Sequence, residues 1–142
     1  MKSVRTLITI CLLFTAVTVF AQTENHQLMT VKIPFGFSVQ DHSLPAGEYN
    51  IFTVLPERAI RITSTDGRYS AIVNTLPNYA SSPSENSRLI FHRYGDEYFL
   101  AQVWTAGQDV GRNPISSKRA VERASNGSSR QTWTVLAEAS RR

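Results

Sequence analysis

Two turn dipeptides, Asp66-Gly67 and Gly95-Asp96, each lie between runs in which apolar and polar residues alternate, and this arrangement demands antiparallel hairpins. Asp-Gly suits a two-residue turn that needs positive φ, and glycine in first place suits a type II′ turn. Centring the first hairpin on Asp66-Gly67 pairs Ser64 with Tyr69, Ile62 with Ala71 and Ile60 with Val73 on one face. Arg61 then pairs with Ile72, and Thr63 with Ser70, on the other. One face is mainly apolar and the other mixed, as in a sheet that covers a core on one side. Centring the second hairpin on Gly95-Asp96 pairs Phe91 with Leu100 and Leu89 with Gln102. His92 with Phe99 and Ile90 with Ala101 occupy its opposite face. Large apolar groups stand on both faces, so this hairpin is expected to be the most buried part of the sheet.

The flanking sequence continues the pattern. Thr, Val, Ile, Tyr and Phe are frequent, and Gly and Pro punctuate short apolar runs. Residues 28–35 alternate until Pro34, where the missing N–H ends the strand or places it at an edge. Phe35, Phe37 and Val39 share one face. Residues 40–47 read as a loop, 48–55 as a strand, and Pro56-Glu57 as a turn. Residues 78–87, with Ser81-Ser82-Pro83-Ser84, read as a mobile loop. Ser116 or Ser117 can cap a short helix running to Ser125, which Asn126-Gly127 ends. Residues 131–137 read as the last strand, with Trp133 and Val135 inward. The expected fold is all-β. It is a single small antiparallel barrel or sandwich of about seven to eight strands, with one short C-terminal helix before the last strand.

Met1–Ala21 has the layout of a cleaved export signal. Lys2 and Arg5 precede an uncharged apolar run from Leu7 to Phe20, and Ala21 stands before a cut at Gln22. A spanning helix needs about 20 apolar residues, and this run gives way sooner to Gln22-Thr23-Glu24-Asn25-His26. Cys11 lies in the middle of the run, too early for a lipoprotein anchor. The expected product is therefore one β-domain over 22–142, periplasmic or extracellular, with no transmembrane span after cleavage. Removal of the leader leaves 121 residues with 13 basic against 11 acidic side chains. A charge that close to zero gives no reason to expect nucleic acid as a partner. The only cysteine leaves with the leader. Cysteine metal sites, cysteine nucleophiles and disulfides are thus absent from the expected product.

Candidate chemistry is sparse. His26 falls in the new N-terminal stretch, and Asp41-His42 in a polar loop with no third ligand at a suggestive spacing. Asp96 and Glu97 are adjacent, but neighbouring strand residues point to opposite faces, so they do not form an acid/base pair. Neither a Gly-x-Ser-x-Gly elbow nor a glycine-rich phosphate loop occurs. The aromatic residues Tyr69, Tyr94, Tyr98, Trp104 and Trp133 could line a sugar or lipid site or simply pack across strands. Tyr94, Tyr98, Trp104 and His92 are the ligand-binding candidates. No catalytic residue, metal site or cofactor is expected. Lys118, Arg119 and Arg123 lie along the short helix as a solvated basic face.

Three segments carry a resemblance. They are Val31-Lys32-Ile33-Pro34-Phe35-Gly36-Phe37, Leu44-Pro45-Ala46-Gly47-Glu48-Tyr49, and Phe91-His92-Arg93-Tyr94-Gly95-Asp96 followed by Tyr98-Phe99-Leu100, with Ser117-Lys118-Arg119 further on. In order and spacing the chain resembles a group of short exported acidobacterial β-proteins. The resemblance implies export and a β-fold, and it supplies no activity, cofactor or catalytic residue. Relatives often carry an acidic residue where Gly36 stands here, which argues against an essential carboxylate at that position.

The functional expectation is a non-enzymatic secreted or periplasmic β-domain that binds a protein, a glycan or a surface polymer. The alternatives are a small apolar-ligand carrier with a barrel cavity and, third, a hydrolase of the cell envelope. A carrier needs an enclosed cavity of at least ~300 Å³, an enzyme needs converging polar groups, and a binding module needs an exposed aromatic or apolar patch.

Overall fold

The computed structural model describes residues 26–56 and 58–139. The leader Met1–Ala21 and its cut before Gln22 lie outside the described residues, as does Glu57 of the Pro56-Glu57 turn. In chain order the elements are β1 (His26–Ile33), β2 (Phe37–Val39), β3 (His42–Leu44), β4 (Gly47–Leu55), β5 (Ala59–Ser64) and β6 (Ser70–Tyr79). There follow β7 (Arg88–Tyr94), β8 (Glu97–Trp104), β9 (Val110–Pro114), α1 (Lys118–Ser125), β10 (Arg130–Leu136) and β11 (Glu138–Ala139).

Among the described residues the fold is all-β, with one short helix before the last long strand. The strands run in the order β10-β7-β8-β9-β6-β5-β4-β1-β11, with β2 and β3 attached beside β8. This sheet folds on itself because two segments serve both layers. The first half of β6 pairs β5 through Ser70–Asn74, and the second half pairs β9 through Thr75–Tyr79. β10 pairs β7, the Ala137 N–H bonds the Ser87 carbonyl, and β11 pairs β1. Strands that switch sheets at the corners produce a sandwich whose two inner faces share one core. That core contains Met29, Val31 and Ile33 of β1, Tyr49 and Ile51 of β4, Ile60 and Ile62 of β5, Val73 of β6, and Leu89, Phe91 and Val103 from β7–β8, all essentially inaccessible to solvent. The mainly apolar face expected of the first hairpin contributes Ile60, Ile62 and Val73 to it.

The first hairpin has the expected register, from Ile60↔Val73 to Thr63↔Ser70. Its turn differs: only Gly67 has positive φ, at 74°, and the Gly67 N–H bonds the Ser64 carbonyl. A wider turn centred on the same dipeptide preserves the pairing. In the second hairpin Gly95 has φ 59° and Asp96 does not share it, as a type II′ turn requires. Phe91↔Leu100 and His92↔Phe99 pair as expected. Beyond them Ala101 is bulged out, so Leu89 meets Val103 and Ile90 meets Gln102. The bulge has a packing cause. Leu100 and Val103 both join the core, and residues three apart share a face only if an extra residue rephases the strand.

Other departures concern short strands and loops. Among the described residues eleven strands form, against the seven or eight expected, because β2, β3, β9 and β11 are brief. Residues 42–44 pair with 37–39 rather than looping, with Gln40 in the left-handed region at φ 49°. His26 begins β1 opposite Thr53 instead of trailing. β2 meets β8 in parallel at Ser38↔Phe99, so the sheet is not purely antiparallel. The serine-rich segment is tethered: Ser84 exchanges backbone hydrogen bonds with Gln108 and Gly107, and the Ser87 hydroxyl accepts the Ala106 N–H. The helix is capped by Ser117, ends at Asn126 and is followed by Gly127 at φ 73°, as expected.

Candidate functional site

Strand pairing brings four side chains together at one end of the sandwich. Trp133 lies opposite Phe91 across β10–β7, and Arg93 lies opposite Tyr98 across β7–β8. Cross-strand partners share a face, so all four point inward from one layer, at the end where Phe35 enters between β1 and β2. Phe35 stacks on Tyr98 with ring centroids 3.8 Å apart and planes 14° apart. It meets Phe91 edge-on at 5.1 Å, and Trp133 stands 6.0 Å from Tyr98 at 78°. The Arg93 guanidinium lies 5.4 Å from the Tyr98 ring centre and 6.0 Å from that of Trp133. Arg93 is held there by its Nε–H, which donates to the Gly95 carbonyl at 2.7 Å. Trp133, expected inward, is 43% exposed, because the sandwich ends beside it. Next to Tyr98 a cleft of about 370 Å³ opens between the β2–β3 hairpin and the β7–β8 tip, with Ser38, Ser43, Asp96 and Arg119 on its walls.

His92 and Tyr94 face the other way, outward from the same layer, beneath α1. Tyr94 packs against Phe99 at 6.0 Å. The helix arches over them and buries none of its own residues. It is fastened by charge: Arg119 and Arg123 both donate to Glu97, the latter at 2.6 Å. The hydrogen bond from Arg119, assisted by that from Arg123, holds the Glu97 carboxyl below the usual carboxylate range. The basic helix face expected to be solvated is therefore partly engaged. A cleft of about 320 Å³ lies between α1 and the sheet.

Burial, and then the charge of Arg130, push the His92 pKa below its ordinary value of 6.5. The sign follows directly. The unfolded chain takes up a proton on this histidine that the folded chain resists, so folding stability drops as pH falls through the ordinary value toward the folded one. A His92→Gln variant is expected to show a flatter stability profile between about pH 7 and 5. Urea midpoints measured across that range test this, and identical profiles would refute it.

Trp104 belongs to neither group. Its Nε1–H donates to Gln102 at 2.8 Å, Arg88 lies 5.7 Å from its ring centre, and Gly111 lies against the ring. The four sequence candidates thus divide three ways: His92 with Tyr94, Tyr98 at the aromatic end, and Trp104 apart. Tyr69 stands at the first hairpin's tip, away from them. Phe35, Arg93 and Trp133 complete the aromatic end, and their grouping depends on pairing between distant segments. Asp41 and His42 sit at the tip of β2–β3, Glu48 faces Lys32 across β4–β1, and Asp96 ends the β7–β8 hairpin. These groups do not converge with His92 on one cavity. Among the described residues, no three His, Cys, Asp or Glu side chains are placed to hold a metal ion, and no helix is long and apolar enough to cross a membrane. No protein family, curated protein or solved structure matches the chain.

Proposed function

We propose that this chain is an exported, non-enzymatic β-domain that binds a glycan or glycan-like surface polymer at its aromatic end. The observation that carries the reading is the half-exposed Trp133 beside the partly buried rings of Tyr98 and Phe35, with Arg93 held against Tyr98 and Trp133. A pyranose presents an apolar C–H face suited to an aromatic ring and equatorial hydroxyls suited to polar neighbours. Ser38, Ser43 and Asp96 supply such neighbours beside Tyr98. Strands hold the rings in place, so little side-chain entropy is lost on binding. The space between the sheets is filled with fully buried side chains, which favours a surface site over a carrier's interior cavity. The scattered carboxylates and histidines favour binding over hydrolysis. Export rests on the leader pattern in residues 1–21.

Trp133 also provides the readout, since Trp104 is only 6% exposed. Titrating the chain with a panel of neutral oligosaccharides is expected to change Trp133 fluorescence saturably. Trp133→Ala should weaken binding by about tenfold or more, as loss of an interfacial tryptophan commonly does. Because this residue is half exposed, the variant should keep its melting temperature within a few degrees. A panel without a binder, or unchanged affinity in Trp133→Ala, would sink the proposal.

A further inference from the structure

The cleft beneath α1 has a chemical bias that the aromatic end lacks. No carboxylate lines it, whereas Arg130 and His92 do, together with the side-chain amides of Gln102 and Asn113. The two amides are oriented by neighbours outside the cleft. Gln102 uses its Oε1 to accept the Trp104 indole N–H, and Asn113 uses its Oδ1 to accept from Asn78 at 3.3 Å. With their oxygens engaged, both amides keep N–H₂ groups that none of these bonds uses, on residues that line the cleft. Arg130 pairs with Tyr94 across β10–β7, which puts its side chain on the His92 and Tyr94 face at the cleft mouth. Among the described residues it forms no ion pair. One cation with several convergent donors is the arrangement that recognises a single carboxylate.

The roof supplies the other half of the site. Ser117, Ala120, Val121 and Ala124 recur at helical spacing, so one face of α1 looks into the cleft. Two of the four are alanines, and a helix meant to pack directly on a sheet would carry larger side chains there. The Arg119 and Arg123 pairs with Glu97 hold the helix in place without that packing. Phe99 and Ile115 extend the apolar wall. A volume of about 320 Å³ lies at the lower end of the range for small-molecule sites.

We infer that this cleft is a binding site for a small amphipathic carboxylate, its charged end between Arg130 and the two amides and its compact apolar body under Ala120 and Ala124. The aromatic rings lie on the opposite side of the same layer, and Ser38 lines both clefts. Cinnamate and its neutral isostere cinnamamide are suitable probes. Cinnamate is expected to shift the His92 ring and the Ala120 and Ala124 methyl resonances saturably. Cinnamamide should bind at least tenfold more weakly, and Arg130→Gln should weaken cinnamate by a similar factor. Ala120→Leu fills the cleft and should abolish binding while the melting temperature holds or rises, with Ala124→Leu as a second blocking variant should the first fail to fold. Trp133→Ala should leave cinnamate binding intact, so failure of the glycan reading is distinguishable from failure of this one. Absence of saturable shifts, equal affinity for the amide, or undiminished binding in a folded cleft-filling variant would each overturn it.

Discussion

Phe91→Ala is expected to destabilise the domain by about 3–5 kcal/mol, the range for removing a large ring from a packed core. The ring is wholly buried and touches Phe35 and Phe37 edge-on, with centroids at 5.1 and 5.5 Å. Leu100 and Trp133 flank it on the two neighbouring strands. Single domains are stable by only about 5–15 kcal/mol, so the loss is a large share of the total. The variant should melt roughly 10–20 °C lower. Ile72→Ala, on the solvent face of β6, is the matched control and should change stability by no more than about 0.5 kcal/mol. Chemical denaturation of both variants checks the prediction, and a Phe91→Ala cost below about 1 kcal/mol would contradict the ring packing. The variant should also loosen Phe35, which rests on Phe91, and so weaken the aromatic end.

Gly111→Val is expected to be comparably damaging for the opposite reason, excess volume. A Cβ at position 111 would stand 2.8 Å from Cδ2 and Cε2 of Trp104 and 2.9 Å from its Cε3. The ring cannot swing away freely. It is buried, its indole N–H is bonded to Gln102, and Arg88 lies against it. Overpacking of this kind costs about 1–3 kcal/mol for one added group, and more for a branched one. Gly36→Ala is the control, because its Cβ would meet only the Leu44 carbonyl at an ordinary 3.7 Å. A double-mutant cycle with Trp104→Leu isolates the clash: the Gly111 substitution should cost little once the ring is gone. Equal cost in both backgrounds would show that the ring is not what position 111 accommodates.

Much of the local structure was legible from residue order. Asp66-Gly67 and Gly95-Asp96 located both hairpins, and Ser117 with Asn126-Gly127 bounded the helix. Alternation placed Ile60, Ile62 and Val73 on the apolar face of the first hairpin, and all three are buried. β9 escaped because Val110-Gly111-Arg112-Asn113-Pro114 shows no apolar alternation; it is a strand because Thr75–Tyr79 and Val103 offer it partners. Within the candidate sites, His92, Tyr94 and Tyr98 were recognised as worth attention, but their division between two faces was not. Phe35, Arg93, Gln102, Asn113 and Arg130 carried no local signal of a shared role.

The division has a physical origin. Turn chemistry and period-two alternation act over a few residues, so sequence alone determined the hairpins, the register near each turn and the apolar set for the core. Pairing of β10 with β7, the passage of β6 from one layer to the other and the parallel contact of β2 with β8 join segments far apart in the chain. Such contacts are chosen by the total apolar surface that the whole chain can bury, set against the entropy of closing long loops. Only the tertiary structure therefore decided that Trp133 meets Tyr98 at a solvent-facing end, and that α1 arches over His92 and leaves a cleft.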